Sequence, residues 1–215
     1  ARLYDRLLAG HPFSDMAAGI SEAGGVPDYY NRTVIPALML AQADHEAGLL
    51  SDRQIARISH ALGLMLEETE EEAEAEGEDA DRPAAPLAIA GLAGAGERVA
   101  ILNARTPLDA LAARILAQML RAEGAETVVL PNHAAMLSRL RQFQPTAAVI
   151  APPGGATRQT LAWQIRQMRR MFPAARVLVA VWPGDGDAAK APEGADYALV
   201  GAAAAAPPKA VAAAG

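Results

Sequence analysis

The sequence predicts an α/β fold with a small N-terminal helical bundle followed by a doubly wound parallel sheet. Two observations support this prediction. Residues 1–66 repeat apolar side chains at helical spacing with short connections, whereas residues 97–201 alternate short apolar runs with helical patterns. Apolar runs without polar alternation are typical of strands covered on both faces, and strands that alternate with helices form parallel, right-handed crossovers.

Composition excludes several classes of function. The chain has 215 residues, no cysteine and a formal net charge of −6. The absence of cysteine excludes disulfides, thiolate metal sites and cysteine nucleophiles. No apolar run reaches the roughly 20 residues that cross a bilayer, and no signal peptide is recognisable, so we expect a soluble chain. No basic stripe with interspersed aromatic residues is present, so nucleic acid is not an expected partner.

The bundle, residues 1–66, is predicted to contain four helices. They cover residues 2–9, 13–23, a long stretch from 29 to 47, and a last stretch from 51 to 65. Gly48 is expected to end the long helix because glycine turns without a Cβ clash. Ser51 and Gln54 form a capping box pattern for the next helix. Pro36 lies inside the long helix, where it removes one backbone hydrogen bond and is expected to cause a kink.

Residues 67–96 are expected to be a solvated linker. Ten of the 25 acidic residues lie between Glu67 and Asp81, where there is no basic residue, and an Ala/Pro/Gly-rich stretch follows. Like charges on one helix repel, and low hydrophobicity leaves little to bury, so at most a frayed helical start is predicted. This reading is favoured over a docking or metal-binding role. Residues 202–215 are predicted to be a disordered tail.

The second part, residues 97–201, alternates strands and helices. The predicted strands are 98–102, 127–130, 147–151, 177–181 and 197–200, and the predicted helices are 107–123, 134–142 and 161–172. On the last helix, Arg166, Arg169 and Arg170 form a basic edge. Such an edge is usually a solvated face, although it would also suit the acidic linker or anionic lipid headgroups.

Ligands of open α/β sheets bind beyond the carboxyl ends of the strands. The candidate ligand-binding residues are therefore those that follow the first, third and fourth strands, namely Asn103, Arg105, Thr106, Gly154, Gly155 and Trp182. Arg105 is the expected anion-binding member, because its guanidinium can make a bidentate contact. Thr106 fits a helix cap better than a catalyst, since Pro107 and Asp109 follow it at the positions of a capped helix start.

No enzymatic or metal-binding motif is recognisable. A pair of glycines, Gly154 and Gly155, precedes a helix and could hold an anion, but the lysine and spacing of a phosphate loop are missing. No acidic pair follows the first strand, and no serine occupies a strand-to-helix elbow. The four histidines, His11, His45, His60 and His133, are scattered without ligand spacing. We therefore predict no catalytic residue, no metal and no resident cofactor.

The order of the two parts resembles that of cobalamin-binding modules, in which a helical bundle caps a corrinoid lying on a flavodoxin-like domain. The ligand determinants differ. The D-x-H-x-x-G loop of that family would begin at Asn103, which places Arg105 where the histidine belongs and Leu108 where the last glycine belongs. In the bundle, the family's tryptophan falls on His45, and its Glu-His pair falls on Ile55 and Ala56. Because a guanidinium does not ligate cobalt, the resemblance implies corrinoid binding only in another mode.

A second resemblance covers nearly the whole chain, with the linker as its poorest part. The run YDRLLAGHP at residues 4–12 is similar to the segment after the last membrane helix of some proteobacterial members of the autoinducer-2 exporter family, with His11 in place of the usual aspartate. Tyr29 and Tyr30, the run PALMLAQAD at residues 36–44, and Gly48 resemble the soluble C-terminal extension of those permeases. The run VLVAVW at residues 177–182 resembles its late strand.

These resemblances imply a non-catalytic cytoplasmic domain that regulates, senses for or helps assemble a membrane permease at a bacterial inner membrane. The expected partners are its own transmembrane domain, outside this chain, a second copy, and a small molecule at the strand ends. The expected mechanism is a movement of the bundle relative to the α/β domain. The alternatives are a ligand sensor that holds a cobalamin or another tetrapyrrole with degenerate motifs, and an enzyme with an unrecognised acyl- or phosphoryl-transfer site.

Overall fold

Five parallel strands form one sheet in the order β2-β1-β3-β4-β5 in the computed structural model of this chain. They are β1 (Arg98–Leu102), β2 (Glu126–Leu130), β3 (Ala147–Ile150), β4 (Arg176–Val181) and β5 (Asp196–Leu199). Each lies within one residue of its predicted position. The strand order confirms the doubly wound, flavodoxin-like sheet.

The structure describes residues 2–9, 16–76, 92, 96–102, 106–130, 142–151, 158–181 and 196–199. Most of the predicted helix at 134–142, most of the predicted linker beyond residue 76 and the predicted tail at 202–215 lie outside these residues. Within them, no helix combines the length and the apolar content that crossing a membrane requires.

Two helices cover opposite faces of the sheet. They are α6 (Pro107–Ala122) and α7 (Arg158–Met171). Successive side chains of a strand point to opposite faces. Accordingly, Val149 of β3 belongs to the apolar cluster that contains the α6 side chains, whereas its neighbour Ile150 belongs to the cluster that contains Ile165 of α7. The unalternating apolar strands of the sequence are therefore explained by burial on both sides.

The N-terminal helices pack on the α6 side of the sheet. They are α1 (Arg2–Ala9), α2 (Met16–Ala23), α3 (Val26–Tyr29), a π-helical turn (Tyr30–Val34), α4 (Ile35–Glu46) and α5 (Asp52–Glu76). Their buried side chains, including Leu38 and Leu66, form one apolar cluster with Leu116 of α6 and with the inner face of the sheet. The bundle and the sheet therefore share a continuous core.

The long helix expected around Pro36 is not one regular helix. Residues 30–34 form a π-helical turn, in which Ile35 N–H donates to the carbonyl of Tyr30, and Pro36 is the second residue of α4. Proline has no N–H to donate to the carbonyl four residues earlier. The π turn changes the hydrogen-bond register directly before Pro36, so the break coincides with the residue that cannot continue the regular pattern.

The connection from α4 to α5 confirms the predicted stop and start signals. Gly48 has a φ of 74°, and Leu49 N–H donates to the carbonyl of Asp44 at 2.8 Å, which is the hydrogen bond of a Schellman motif. Ser51 N–H donates to Gln54 Oε1 at 3.0 Å, and Gln54 N–H reaches Ser51 Oγ at 3.4 Å. These reciprocal bonds form the capping box of α5.

Helix α5 extends further than the acidic composition indicated. The predicted linker begins at residue 67, but the helix continues to Glu76, so the first ten residues of that range are helical. Repulsion among the glutamates is offset by two arginines of α6, Arg114 and Arg121, which pair with Glu67 and Glu70. These arginines are distant from the glutamates in sequence, so a prediction made from the local charge pattern could not take them into account.

We expect Gly48→Ala to destabilise the protein by about 1 kcal/mol, because an L-residue at this positive φ is strained. A Cβ at this position would have no atom within 4 Å, so the loss of stability would come from backbone strain and not from a steric clash. The measurement is the free energy of unfolding in urea. Gly48→Asn is the matched control and should lose less, since asparagine tolerates the left-handed region. Equal losses for the two variants would contradict this account.

Candidate functional site

The order in which strands join the sheet changes direction at β1, between β2 on one side and β3 on the other. After β1 the chain forms β2, which is one lateral neighbour of β1, and then β3, which is the other. Leu102 and Ile150 are paired at the ends of these two strands, and Ala151 N–H extends the pairing by donating to the carbonyl of Leu102 at 3.3 Å. In doubly wound sheets, the crevice that binds ligands opens at this kind of switch point.

The structure places only one of the predicted ligand-binding residues. Asn103, Arg105, Gly154, Gly155 and Trp182 lie outside the described residues. The strands that precede them, β1, β3 and β4, are neighbours in the sheet. The loops that carry these candidates therefore begin side by side at one edge, as the sequence predicted, and the geometry of their side chains stays a prediction.

Thr106, the described candidate, caps α6. Its Oγ1 accepts a hydrogen bond from Asp109 N–H at 3.1 Å, and its own N–H donates to Asp109 Oδ2 at 2.8 Å. Pro107 occupies the first helical position. This confirms the reading of Thr106 as a cap. Because Asp109 is buried and its carboxylate already lies at the start of α6, the positive end of this helix dipole is partly neutralised and does not form a bare anion site.

Ion pairs hold α5 along α6. Glu70 accepts from Arg114 at 3.2 Å and from Arg121 at 3.4 Å, while Glu67 lies 3.8 Å from Arg114. The two arginines are seven residues apart and therefore lie on one face of α6. Glu70 and Arg114 are about one-third exposed, so these pairs fix orientation more than they stabilise the fold.

A buried polar network joins the bundle to the α/β domain. Tyr30 is 1% exposed. Its hydroxyl donates to Gln118 Oε1 of α6 and lies 2.7 Å from Thr69 Oγ1 of α5. Gln118 Nε2 donates in turn to the carbonyl of Leu66 at 2.9 Å. Burial raises the pKa of Tyr30 to about 12, while the hydrogen bond with Thr69 acts in the opposite direction. This network could not be predicted from the sequence, because a tyrosine and a glutamine 88 residues apart carry no local signal.

A shallow groove runs between α5 and the first half of α6. Its volume is about 340 Å³, and it is lined by residues of α5 from Ser59 to Glu67 and of α6 from Pro107 to Arg114. Since α6 begins just after β1, this groove lies on the side of the molecule where the carboxyl ends of the strands lie. Ser59 Oγ is buried there and has no hydrogen-bond partner among the residues that the structure describes.

The described histidines do not form a metal site. His45 Nδ1 lies 3.0 Å from the carbonyl of Leu50, and its Nε2 lies 3.6 Å from Asp52 Oδ1, so the ring packs against the α4–α5 connection. His60 is exposed on α5. Among the described residues, no group of three or more metal-ligating side chains is found. His11 and His133 lie outside this part of the chain.

Comparisons with known proteins include a weak similarity to a solved structure. No protein-family model matches the sequence, and no curated protein matches it. The chain is similar to a solved structure described as a novel cobalamin-binding protein from Desulfitobacterium hafniense DCB-2, with 10% identity, coverage of 86% of this chain and 85% of that chain, and a TM-score of 0.36. An overlap this weak assigns neither fold nor ligand, so the fold rests on the strand order. The resemblance to the exporter extension has no match here and stays a prediction.

We expect Thr106→Ala to destabilise the protein by about 1 kcal/mol, because it removes the side-chain acceptor of the α6 cap. Thr106→Ser keeps an oxygen at the same position and should be nearly neutral. The measurement is the unfolding midpoint in urea for both variants and the parent. If Thr106→Ser lost as much as Thr106→Ala, the threonine would act through its methyl packing rather than as a cap.

We expect Tyr30→Phe to destabilise the protein by about 1–3 kcal/mol, because the buried partners Gln118 and Thr69 lose the phenol hydroxyl. Tyr29→Phe is the matched control, since the hydroxyl of this neighbouring tyrosine makes no hydrogen bond to the described residues. The measurement is the free energy of unfolding. A loss for Tyr29→Phe as large as that for Tyr30→Phe would show that the network is not the cause.

Tyr30→Phe, compared with the parent protein, also tests the raised pKa of Tyr30; Tyr29→Phe is not a control for pH, because burial raises the pKa of Tyr29 as well. The folded state holds this proton more tightly than the unfolded state, so the contribution is fully present below about pH 10 and is lost as the pH rises toward 12. The free energy of unfolding should fall by at most about 1.4 kcal/mol per pH unit for this one group. Burial also raises the pKa of Tyr4 to about 12, so Tyr30→Phe should flatten the decline without removing it.

Proposed function

We propose that the chain is a non-catalytic ligand-binding module that holds a small molecule at the carboxyl edge of its sheet, beside the docked helical bundle. One observation carries this proposal: the strand order reverses between β1 and β3, and the loops predicted to bind ligand follow β1, β3 and β4 at that edge. The proposal follows from the topology and does not depend on any particular side chain.

Helix α6 links the proposed site to the bundle. Its first residue, Pro107, follows the cap at the end of β1, and its later turns carry Arg114, Gln118 and Arg121, which contact α5 and Tyr30. A ligand that contacts the start of α6 would therefore act on the same rigid element that holds the bundle. This arrangement suits a sensing or regulatory role.

The described residues at this edge favour binding over catalysis. Leu102, Ile150 and Ala151 end their strands with apolar side chains. Thr106 and Asp109 are the polar groups described between β1 and the first turn of α6, and each is engaged in the cap of that helix. Neither is available as a nucleophile or a general base, so we propose no reaction at this site.

The ligand class that we propose is a tetrapyrrole such as cobalamin, held without a lower histidine. A bundle followed by a doubly wound sheet is the order of parts found in cobalamin-binding modules, and the solved structure with weak similarity carries that description. Arg105 stands where that family has its histidine, and a guanidinium does not ligate cobalt but can bind a carboxylate or phosphate of the ligand. The role as a regulatory domain of a membrane permease stays a prediction from sequence resemblance.

The test is retention of hydroxocobalamin, and separately of haemin, during gel filtration of the full chain, followed by the visible spectrum. We expect one of the two to elute with the protein, with a spectrum that does not change near the ordinary histidine pKa of about 6.5, because no imidazole ligates the metal. Arg105→Ala should lower the affinity for the retained ligand by about tenfold, which corresponds to the loss of one charge-assisted hydrogen bond.

Arg98→Ala is the matched control. Arg98 is an exposed arginine at the opposite end of β1, where its side chain donates to the carbonyl of Gln144. This variant should bind as the parent does. Failure of the parent protein to retain either tetrapyrrole would overturn the proposed ligand class, and equal losses for Arg98→Ala and Arg105→Ala would overturn the proposed position of the site.

A further inference from the structure

The outer face of α7 carries an exposed tryptophan among arginines. Trp163 is 49% exposed, and Arg166 and Arg170, three and seven residues later, are also exposed. This spacing places the three side chains on one face of the helix, which is called the α7 outer face below. The sequence of α7 contains four arginines and no acidic residue.

The fold does not require the α7 outer face. The opposite face of the helix buries Ile165 and Met168 against β3 and β4, and these contacts already attach α7 to the sheet. Trp163 is the one large aromatic side chain that is exposed in the described part of the chain. Tryptophan has an apolar ring and a polar N–H, and it is enriched at protein interfaces and at membrane–water interfaces.

In the described part of the chain, the sheet lies between the arginines of α7 and the glutamates of α5. Helix α7 covers one face, whereas α6 and the acidic helix α5 lie on the other. Packed layers are about 10 Å apart, so the acids of α5 lie two layers from α7. This distance exceeds the screening length of about 8 Å at physiological ionic strength. The α7 outer face is therefore locally cationic in a chain whose net charge is −6.

We propose that the α7 outer face docks on the surface of an anionic bilayer. Trp163 would lie at the level of the lipid headgroups, where amphipathic aromatic rings are favoured, and Arg166 and Arg170 would contact lipid phosphates. Each arginine near such a surface contributes about fivefold in binding, so the contact is weak and reversible by itself. It would orient a domain that something else holds near the membrane.

Charge complementarity alone would also allow the acidic helix α5 of a second copy. That contact would join two different surfaces, α7 of one copy and α5 of the next, and such heterologous contacts continue into open chains unless the rotation closes. A bilayer needs no matching pocket for Trp163. The observations therefore favour the lipid surface, and self-association becomes an outcome of the test.

The test uses the full chain carrying Trp182→Phe, which leaves Trp163 as the single tryptophan of the two in the sequence. Vesicles of phosphatidylglycerol mixed with phosphatidylcholine are compared with vesicles of phosphatidylcholine alone. We expect the protein to sediment with the anionic vesicles, the Trp163 emission to shift to shorter wavelength, and both effects to vanish near 1 M salt, where the screening length is about 3 Å.

Two charge-reversed pairs locate the contact. Arg166→Glu with Arg170→Glu should lower binding by more than about 20-fold, the product of two arginine contributions. Arg53→Glu with Arg57→Glu makes the same change in net charge on two exposed arginines of α5, on the opposite side of the sheet, and should leave binding nearly unchanged. Circular dichroism confirms that each variant is folded, and Trp163→Ala should weaken binding without changing its salt dependence.

Several results would overturn the proposal. Equal binding to neutral vesicles would exclude the charge contact, and equal losses for the two reversed pairs would show that only net charge matters. Concentration-dependent assembly without vesicles that Trp163→Ala abolishes would identify a second copy as the occupant. None of these outcomes depends on tetrapyrrole binding, so failure of this proposal can be distinguished from failure of the proposed function.

Discussion

The packing of α5 along α6 is the contact on which the two parts of the chain depend. Leu66 of α5 and Leu116 of α6 belong to one apolar cluster that continues into the sheet, so neither part has a complete core alone. The hydroxyl of Tyr30 adds specificity, because it reaches both Gln118 of α6 and Thr69 of α5 only when the helices adopt this alignment. The ion pairs of Glu70 then lie at the exposed margin of the same contact.

This contact gives the sheet two unlike faces. On one side, α6 and the bundle form a thick layer that ends in an acidic helix, and on the other side α7 is a single layer with an arginine-rich surface. The carboxyl edge lies between them, at the start of both α6 and α7. The proposed ligand site at the edge, the α5–α6 contact and the α7 outer face therefore occupy separate surfaces, and a change in one need not disturb the others.

Local signals in the sequence predicted most of the fold. The strands, the glycine stop at Gly48 and the capping boxes that begin at Ser51 and Thr106 were identified because the residues that form them are neighbours in the chain. The extension of α5 to Glu76 and the Tyr30–Gln118 hydrogen bond were missed because their partners are far apart in sequence. Of the predicted site, the strands that precede the candidate loops are neighbours in the sheet, Thr106 is described as a cap, and ligand binding stays a prediction.

The shared core also limits how a ligand could act. Movement of the whole bundle away from the α/β domain, as the sequence led us to expect, would expose Leu66 and Leu116 and would leave Gln118 without its buried partner. The net loss of such a hydrogen bond to water costs about 0.5–1.5 kcal/mol before the apolar area is counted. Binding at the first turn of α6 need not break this contact, since the groove beside Pro107 is already open. A small adjustment of α6 with the bundle attached is therefore a less costly response than separation of the two parts.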